Sequence, residues 1–159
     1  DLRGNVNTRL AKLDAGDYDA IILAVAGLKR LGFDARIRAS LSVPDWLPAA
    51  AQGAICIETR AGDRATISRV RALHHAATAA RIDAERALNR RLGGSCQVPI
   101  GALATIAGKQ LHLQGLVGHA NSGRVVRAQG TGPLSEPVAL GETVADALLA
   151  AGAGELLEL

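Results

Sequence analysis

Glu85-Arg86-Ala87-Leu88-Asn89-Arg90-Arg91-Leu92-Gly93-Gly94-Ser95-Cys96-Gln97-Val98-Pro99-Ile100-Gly101 is the junction from which the fold can be read. Leu88 and Leu92 close the longest helical pattern in the chain, His75 to Leu92. Gly93-Gly94 supplies its stop, and Pro99 fixes the backbone just before a segment that alternates like a strand. Between the two stands Cys96. A cysteine in such a loop is most often a small apolar residue without chemistry. Here the flanking glycines allow a tight turn and nearby arginines favour thiolate over thiol, which makes Cys96 the candidate reactive group.

Downstream, Gly101 to Ala107, Gln110 to His119 and Arg124 to Gly130 read as three strands, with Gly108 and Asn121-Ser122-Gly123 as turns. They predict an antiparallel meander. Pro137 to Ala151 follows as a helix presenting Val144, Leu148 and Ala151 on one face, and the glycines at 152 and 154 read as its end. Residues 75–159 therefore read as an α+β domain.

Upstream, the pattern is α/β. Asp1 to Gly16 predicts a helix with Val6, Leu10 and Leu13 on one stripe. Tyr18 to Val25 predicts a strand apolar on both faces, and Leu28 to Leu31 a helical turn ended by Gly32. Pro44 and Pro48 bracket Trp46 in a connection that is neither helix nor central strand. Gln52 to Thr59 predicts a second buried strand carrying Cys56, and Asp63 to Leu73 a helix that Asp63 caps. Strands of this kind need parallel neighbours. The sequence offers none, so the chain reads as the C-terminal portion of a longer protein.

Composition narrows the function. Of 159 residues 48% are hydrophobic but only one each is Trp, Tyr or Phe, so the core must be built from Ala, Leu, Ile and Val. The net charge of +3 is spread along the chain, and without aromatics to stack on bases it does not describe a nucleic-acid surface. No apolar run approaches the roughly 20 residues of a membrane span. Two cysteines make no disulfide framework, which suits a reducing cytoplasm. Fifteen of the 18 basic residues are arginine, the side chain shaped for bidentate contact with carboxylates.

Arg3-Gly4-Asn5-Val6-Asn7-Thr8-Arg9-Leu10 places glycine and asparagine at a helix start, where N–H groups and two guanidinium forks can face an anion. His74 and His75 point about 100° apart on a helix and lack further ligands, so no metal is expected. Asp83 and Glu85 are spaced for solvated ion pairs with Arg86 and Arg81 rather than for acid–base work.

The segment from Glu85 to Gly101 resembles the cofactor-attachment signature of the porphobilinogen deaminases, also called hydroxymethylbilane synthases. Residues 3–31 are similar to the second domain of that family, and Leu47-Pro48-Ala49-Ala50-Ala51-Gln52-Gly53-Ala54 to its return segment between domains. The family usually carries glycine where Ala51 stands, which predicts a stiffer or differently turned hinge. After about residue 105 only the pattern of strands and a final helix agrees.

The resemblance implies three domains, the first two with a fold like periplasmic binding proteins. On that map residues 1–47 are the latter part of domain 2, residues 48–74 the hinge and the return strand and helix of domain 1, and residues 75–159 the cofactor-bearing domain. It implies stepwise head-to-tail condensation of four porphobilinogen molecules, with loss of ammonia, on a dipyrromethane cofactor thioether-linked to Cys96. Arg3, Arg9 and Arg30 would hold the acetates and propionates of the growing polypyrrole, with Asn5 and Gln52 as further contacts. The general-acid aspartate would lie in the N-terminal half, so this chain alone should not turn over. The full enzyme is expected to be a cytoplasmic monomer. The rival reading is a non-catalytic anion-binding or scaffold module of the same fold.

Overall fold

Asn5 decides where the first helix starts. Its side-chain oxygen accepts the Thr8 backbone N–H at 2.9 Å, so α1 runs over Val6–Asp14 instead of from Asp1. The computed structural model describes residues 1–95, 98–119 and 122–157. Packing divides the chain into two units, residues 1–42 and 43–159.

In the first unit α1 buries Leu10, and a second helix, α2 (Val25–Arg30), buries Leu28. A 3₁₀ turn follows at Asp34–Arg36, and the Arg36 guanidinium grips the Asp14 carboxylate with both terminal nitrogens. The strand expected over Tyr18 to Val25 does not form: residues 20–24 are irregular, Ile22 is 62% exposed, and the predicted helical turn instead begins at Val25. The strand expected over Gln52 to Thr59 is likewise absent in the second unit, with Ile55 93% exposed. Cys56, expected to be buried there, is exposed. An apolar run becomes a strand only when a neighbour accepts and donates its ladder of hydrogen bonds. Among the described residues no segment pairs with either run.

The second unit holds the core. Helix α3 (Arg64–Val70) continues as a 3₁₀ turn over Arg71–Leu73 and is capped by Asp63, whose carboxylate accepts the Thr66 N–H at 3.0 Å and the Thr66 hydroxyl at 2.8 Å. The Thr66 backbone bond first, and its hydroxyl second, hold the Asp63 carboxyl below its ordinary value of 3.8. Since the folded value is the lower one, the cap contributes fully above pH 3.8 and is lost as pH falls through the folded value. The protection of the Thr66 amide from hydrogen exchange should therefore fall on acidification relative to amides in the sheet. A constant ratio would show that the cap holds nothing.

Helix α4 (Ala76–Arg91) is capped by His75, whose ring nitrogen accepts from Thr78. It leads into β1 (Ile100–Ala107), β2 (Gln110–Gly118) and β3 (Val125–Pro133), an antiparallel sheet in the order β1-β2-β3. The register pairs Ala107 with Gln110 and Gly118 with Val125. Helix α5 (Pro137–Ala150), started by Pro137, packs with α4 on one face of this sheet. Strand alternation sends Leu111, Leu113 and Val117 to that face, where they meet Ala84 and Leu88 of α4 and Leu140, Val144 and Leu148 of α5. Each fully buried leucine here contributes about 2 kcal/mol of transfer free energy. Ala151, expected on the buried face, is exposed; Gly152 (φ +91°) does end α5, whereas Gly154, read with it as a helix end, lies in a short helix, α6 (Ala153–Leu157), that buries Ala153 and Leu156.

Candidate functional site

In the first unit, basic side chains fold back on the segment before α1. Arg9 donates its Nε to the Gly4 carbonyl at 2.7 Å, and Lys12 reaches the Arg3 carbonyl at 3.4 Å. The Arg3 side chain is 84% exposed, near Asp1 at 3.7 Å. Asn5 spends its side-chain oxygen on Thr8. The helix start is thus already capped, and Arg3 with the terminal nitrogens of Arg9 supplies what is available for an anion. Arg30 is the exposed last residue of α2.

In the second unit, Gln52 sits on a turn. Its side-chain oxygen accepts the Ala49 N–H at 3.2 Å, and its own N–H donates to the Ala49 carbonyl at 3.1 Å. Ala51 has φ of +61°. Ala51, expected to stiffen or re-turn this hinge, therefore takes the backbone conformation that suits glycine, and its Cβ costs about 1 kcal/mol there.

That turn is stitched to the sheet domain. Arg127 on β3 donates to the Pro44 and Asp45 carbonyls at 3.1 and 2.9 Å, and Leu47 is buried beside Gly101. The open edge of β1 is closed in turn, because Ala102 donates its N–H to the Pro48 carbonyl at 2.9 Å and Ala104 donates to Glu85 Oε1 at 2.8 Å. Glu85 Oε2 accepts from the Ala51 N–H at 2.7 Å. Glu85 is 6% exposed and is the buried charged side chain among the described residues. The solvated pairing expected for it with Arg81 is not made, and no ion pair joins Asp83 to Arg86 among the described residues. The signal was present in the sequence: Glu85 lies three residues before Leu88 and seven before Leu92, on the buried stripe of the helix.

At its C-terminus α4 ends in a double-bonded glycine cap. Gly93 (φ +67°) donates to the Arg90 carbonyl at 3.0 Å and Gly94 to the Asn89 carbonyl at 2.8 Å. Cys96, the expected attachment point, lies outside the described residues. The residues on either side of it are held: Val98 donates to the Ser95 carbonyl at 3.2 Å, and Gly118 to the Pro99 carbonyl at 2.9 Å. Of the arginines expected to favour a thiolate, Arg91 is committed elsewhere, its Nε 2.8 Å from Asp146 on α5. That bond and the charge of Asp146 hold the guanidinium above its ordinary value.

A three-stranded antiparallel sheet with helices on one face, entered from a long helix through a glycine-rich loop, defines a small mixed α/β domain. Residues 1–68 match the family model described as porphobilinogen deaminase, dipyromethane cofactor binding domain, and residues 79–150 the one described as porphobilinogen deaminase, C-terminal domain. The chain belongs to the porphobilinogen deaminase family. It is 58% identical over 159 residues to the porphobilinogen deaminases of Stenotrophomonas maltophilia strains R551-3 and K279a, covering 100% of this chain and 52% of each relative. It is 54% identical over 157 residues to that of Xanthomonas euvesicatoria pv. vesicatoria, covering 99% of the chain and 52% of the relative. The chain spans about half the length of the curated relatives it matches.

Proposed function

We propose that this chain is the part of a hydroxymethylbilane synthase that carries the dipyrromethane cofactor on Cys96 and helps to hold the carboxylates of the growing polypyrrole. The observation that carries the reading is the 58% identity along all 159 residues, including the loop that follows α4. The donor set fits the group. Acetate and propionate side chains call for planar bidentate donors, and Arg3, Arg9 and Arg30 in the first unit are of that kind. Asn5 acts on the cofactor side mainly by fixing the helix start beside Arg3, and Gln52 is a contact presented from its turn. When bound, dipyrromethane supplies the primer pyrrole to which porphobilinogen units are added with release of ammonia. The general-acid aspartate belongs to the remainder of the enzyme.

In the same reading residues 1–47 are the latter part of a second domain, residues 48–74 the return segment to a first, and residues 75–159 the third. The exposed Ile22, Ile55 and Ile57 support it, since they lie in the two apolar runs that need strand partners and would gain them in an assembled pair of periplasmic-binding-protein-like domains. In this reading the assembled enzyme is a cytoplasmic monomer. Among the described residues no helix is long and apolar enough to cross a membrane.

The test is the intact mass of the assembled enzyme. A mass excess of one dipyrromethane, lost together with porphobilinogen consumption in Cys96→Ser, is the expected result. An unmodified wild-type protein that still consumes porphobilinogen would overturn the assignment of Cys96.

A further inference from the structure

A carboxylate buried in a helix face and bonded, among the described residues, to backbone N–H groups of two distant segments is an expensive arrangement for a protein to keep. Glu85 is such a group. Oε2 takes the Ala51 N–H at 2.7 Å and Oε1 the Ala104 N–H at 2.8 Å. One bond reaches the 48–54 turn and the other the edge of β1, while the helix that carries Glu85 runs on into Gly93-Gly94-Ser95. A neutral polar side chain could not do the same with one functional group, since an amide has a single acceptor oxygen and turns an N–H₂ donor toward the second amide.

The turn so gripped is one that would otherwise relax. Ala51 at φ +61° holds a conformation that a residue with a Cβ adopts only when its surroundings impose it. The other bonds on this turn are internal: Gln52 N–H to Ala49 carbonyl, Ala49 N–H to Gln52 Oε1, and Ala54 N–H to Ala51 carbonyl at 3.2 Å. They set its shape and not its place. Its place is set by Glu85, by the Pro48 carbonyl on β1, and by Arg127 on the preceding carbonyls.

We propose that Glu85 is a positioning residue that fixes Gln52 relative to the cofactor loop, by tying the Gln52 turn to the helix from which that loop springs. The proposal rests on the reading of Cys96 as the cofactor attachment point and of Gln52 as a contact to the cofactor. Glu85 touches neither cofactor nor substrate. It transmits position: without the Ala51 bond the turn keeps its ties at and before Pro48, and the part that carries Gln52 loses its own, while α4 and the sheet stay where they are. Because Gln52 is read as a contact to the bound primer rather than to the incoming monomer, the loss should fall on turnover more than on porphobilinogen affinity.

Two measurements test it. In this chain, the Ala51 amide should exchange with solvent at least 100-fold more slowly than an unbonded turn amide, although its partner among the described residues is a side chain. In Glu85→Gln the Ala51 or the Ala104 amide should speed up at least tenfold while Leu113 and Val117 in β2 stay protected. In the assembled holoenzyme, Glu85→Gln should keep its dipyrromethane mass, lose about tenfold in kcat and change KM less than twofold. An Ala51 amide that exchanges freely in the wild-type chain overturns the proposal without any variant being made. Faster exchange with kcat unchanged overturns the positioning role and leaves the family reading standing. A wild-type holoenzyme with no cofactor mass overturns the functional reading that the proposal rests on, whatever the amides do.

Discussion

Gly141→Ala should destabilise the 43–159 unit by about 2–3 kcal/mol and lower its melting temperature by roughly 10 °C. A Cβ at this position would collide with the Ala84 carbonyl oxygen, and would stand 2.6 Å from the Ala87 Cβ and 3.0 Å from the Leu88 backbone nitrogen. These are backbone and first side-chain atoms of α4, so no rotamer change relieves the clash and the two helices must move apart. Alanine in a helix interior is favoured over glycine by about 1 kcal/mol. That gain is the smaller term, because separating α4 from α5 also opens the contacts of Leu88, Val144 and Leu148. Gly154→Ala is the control: it makes the same chemical change in α6 with nothing within 4 Å of the new atom and should cost nothing. Thermal unfolding of the two variants decides it. Equal melting points would mean that α4 and α5 do not approach at Gly141.

Glu85→Ala should cost about 3 kcal/mol, read from urea unfolding of the same unit. It strips the acceptor from the Ala51 and Ala104 N–H groups, and an orphaned buried donor costs roughly 1–3 kcal/mol. Removing a buried charge returns part of this, since the carboxylate no longer has to be kept out of water. The balance is still a loss, because the Ala104 amide faces the closed edge of β1 where water has little access. Asp83→Ala, two residues away on the exposed side of α4, should stay within about 0.5 kcal/mol. A Glu85→Ala loss as small as that of Asp83→Ala would return Glu85 to the solvent-exposed role that its spacing from Arg81 first suggested.

The contrast between these two carboxylates shows what local pattern can and cannot supply. An i to i+4 spacing between Arg81 and Glu85 permits an ion pair, but it does not say whether either side chain has a better partner off the helix. Glu85 has two, from residues 34 positions before it and 19 after. The same limit governs the strands. Leu111, Leu113 and Val117 alternate along β2 and were legible as one face of a sheet, because their hydrogen-bond partners lie next in sequence across short turns. Ala20 to Val25 and Ala54 to Thr59 have the composition of strands but no partner edge among the described residues, and composition without a partner leaves an exposed chain.

Of the candidate site, Cys96, Gln52 and the arginines of the first unit were proposed through the family resemblance, and what the residues themselves gave was local: glycine, proline and capping side chains act over a few positions. Gly93 and Gly94 cap α4 as glycines there require, and Asn5 and Asp63 cap α1 and α3 from their own side chains. By itself, then, the sequence determined the long helix that ends at Gly93-Gly94, the Asp63 cap of α3 and which strands form a meander; each follows from torsional preference or from bonds spanning a few residues. Only the tertiary structure decided that Gly141 is where two helices touch, that Arg127 and Glu85 hold the 44–52 segment against the sheet, and that Ala51 adopts a glycine conformation. These depend on which surfaces meet, and the energy of a contact between residues far apart in the chain is not written in the neighbourhood of either one.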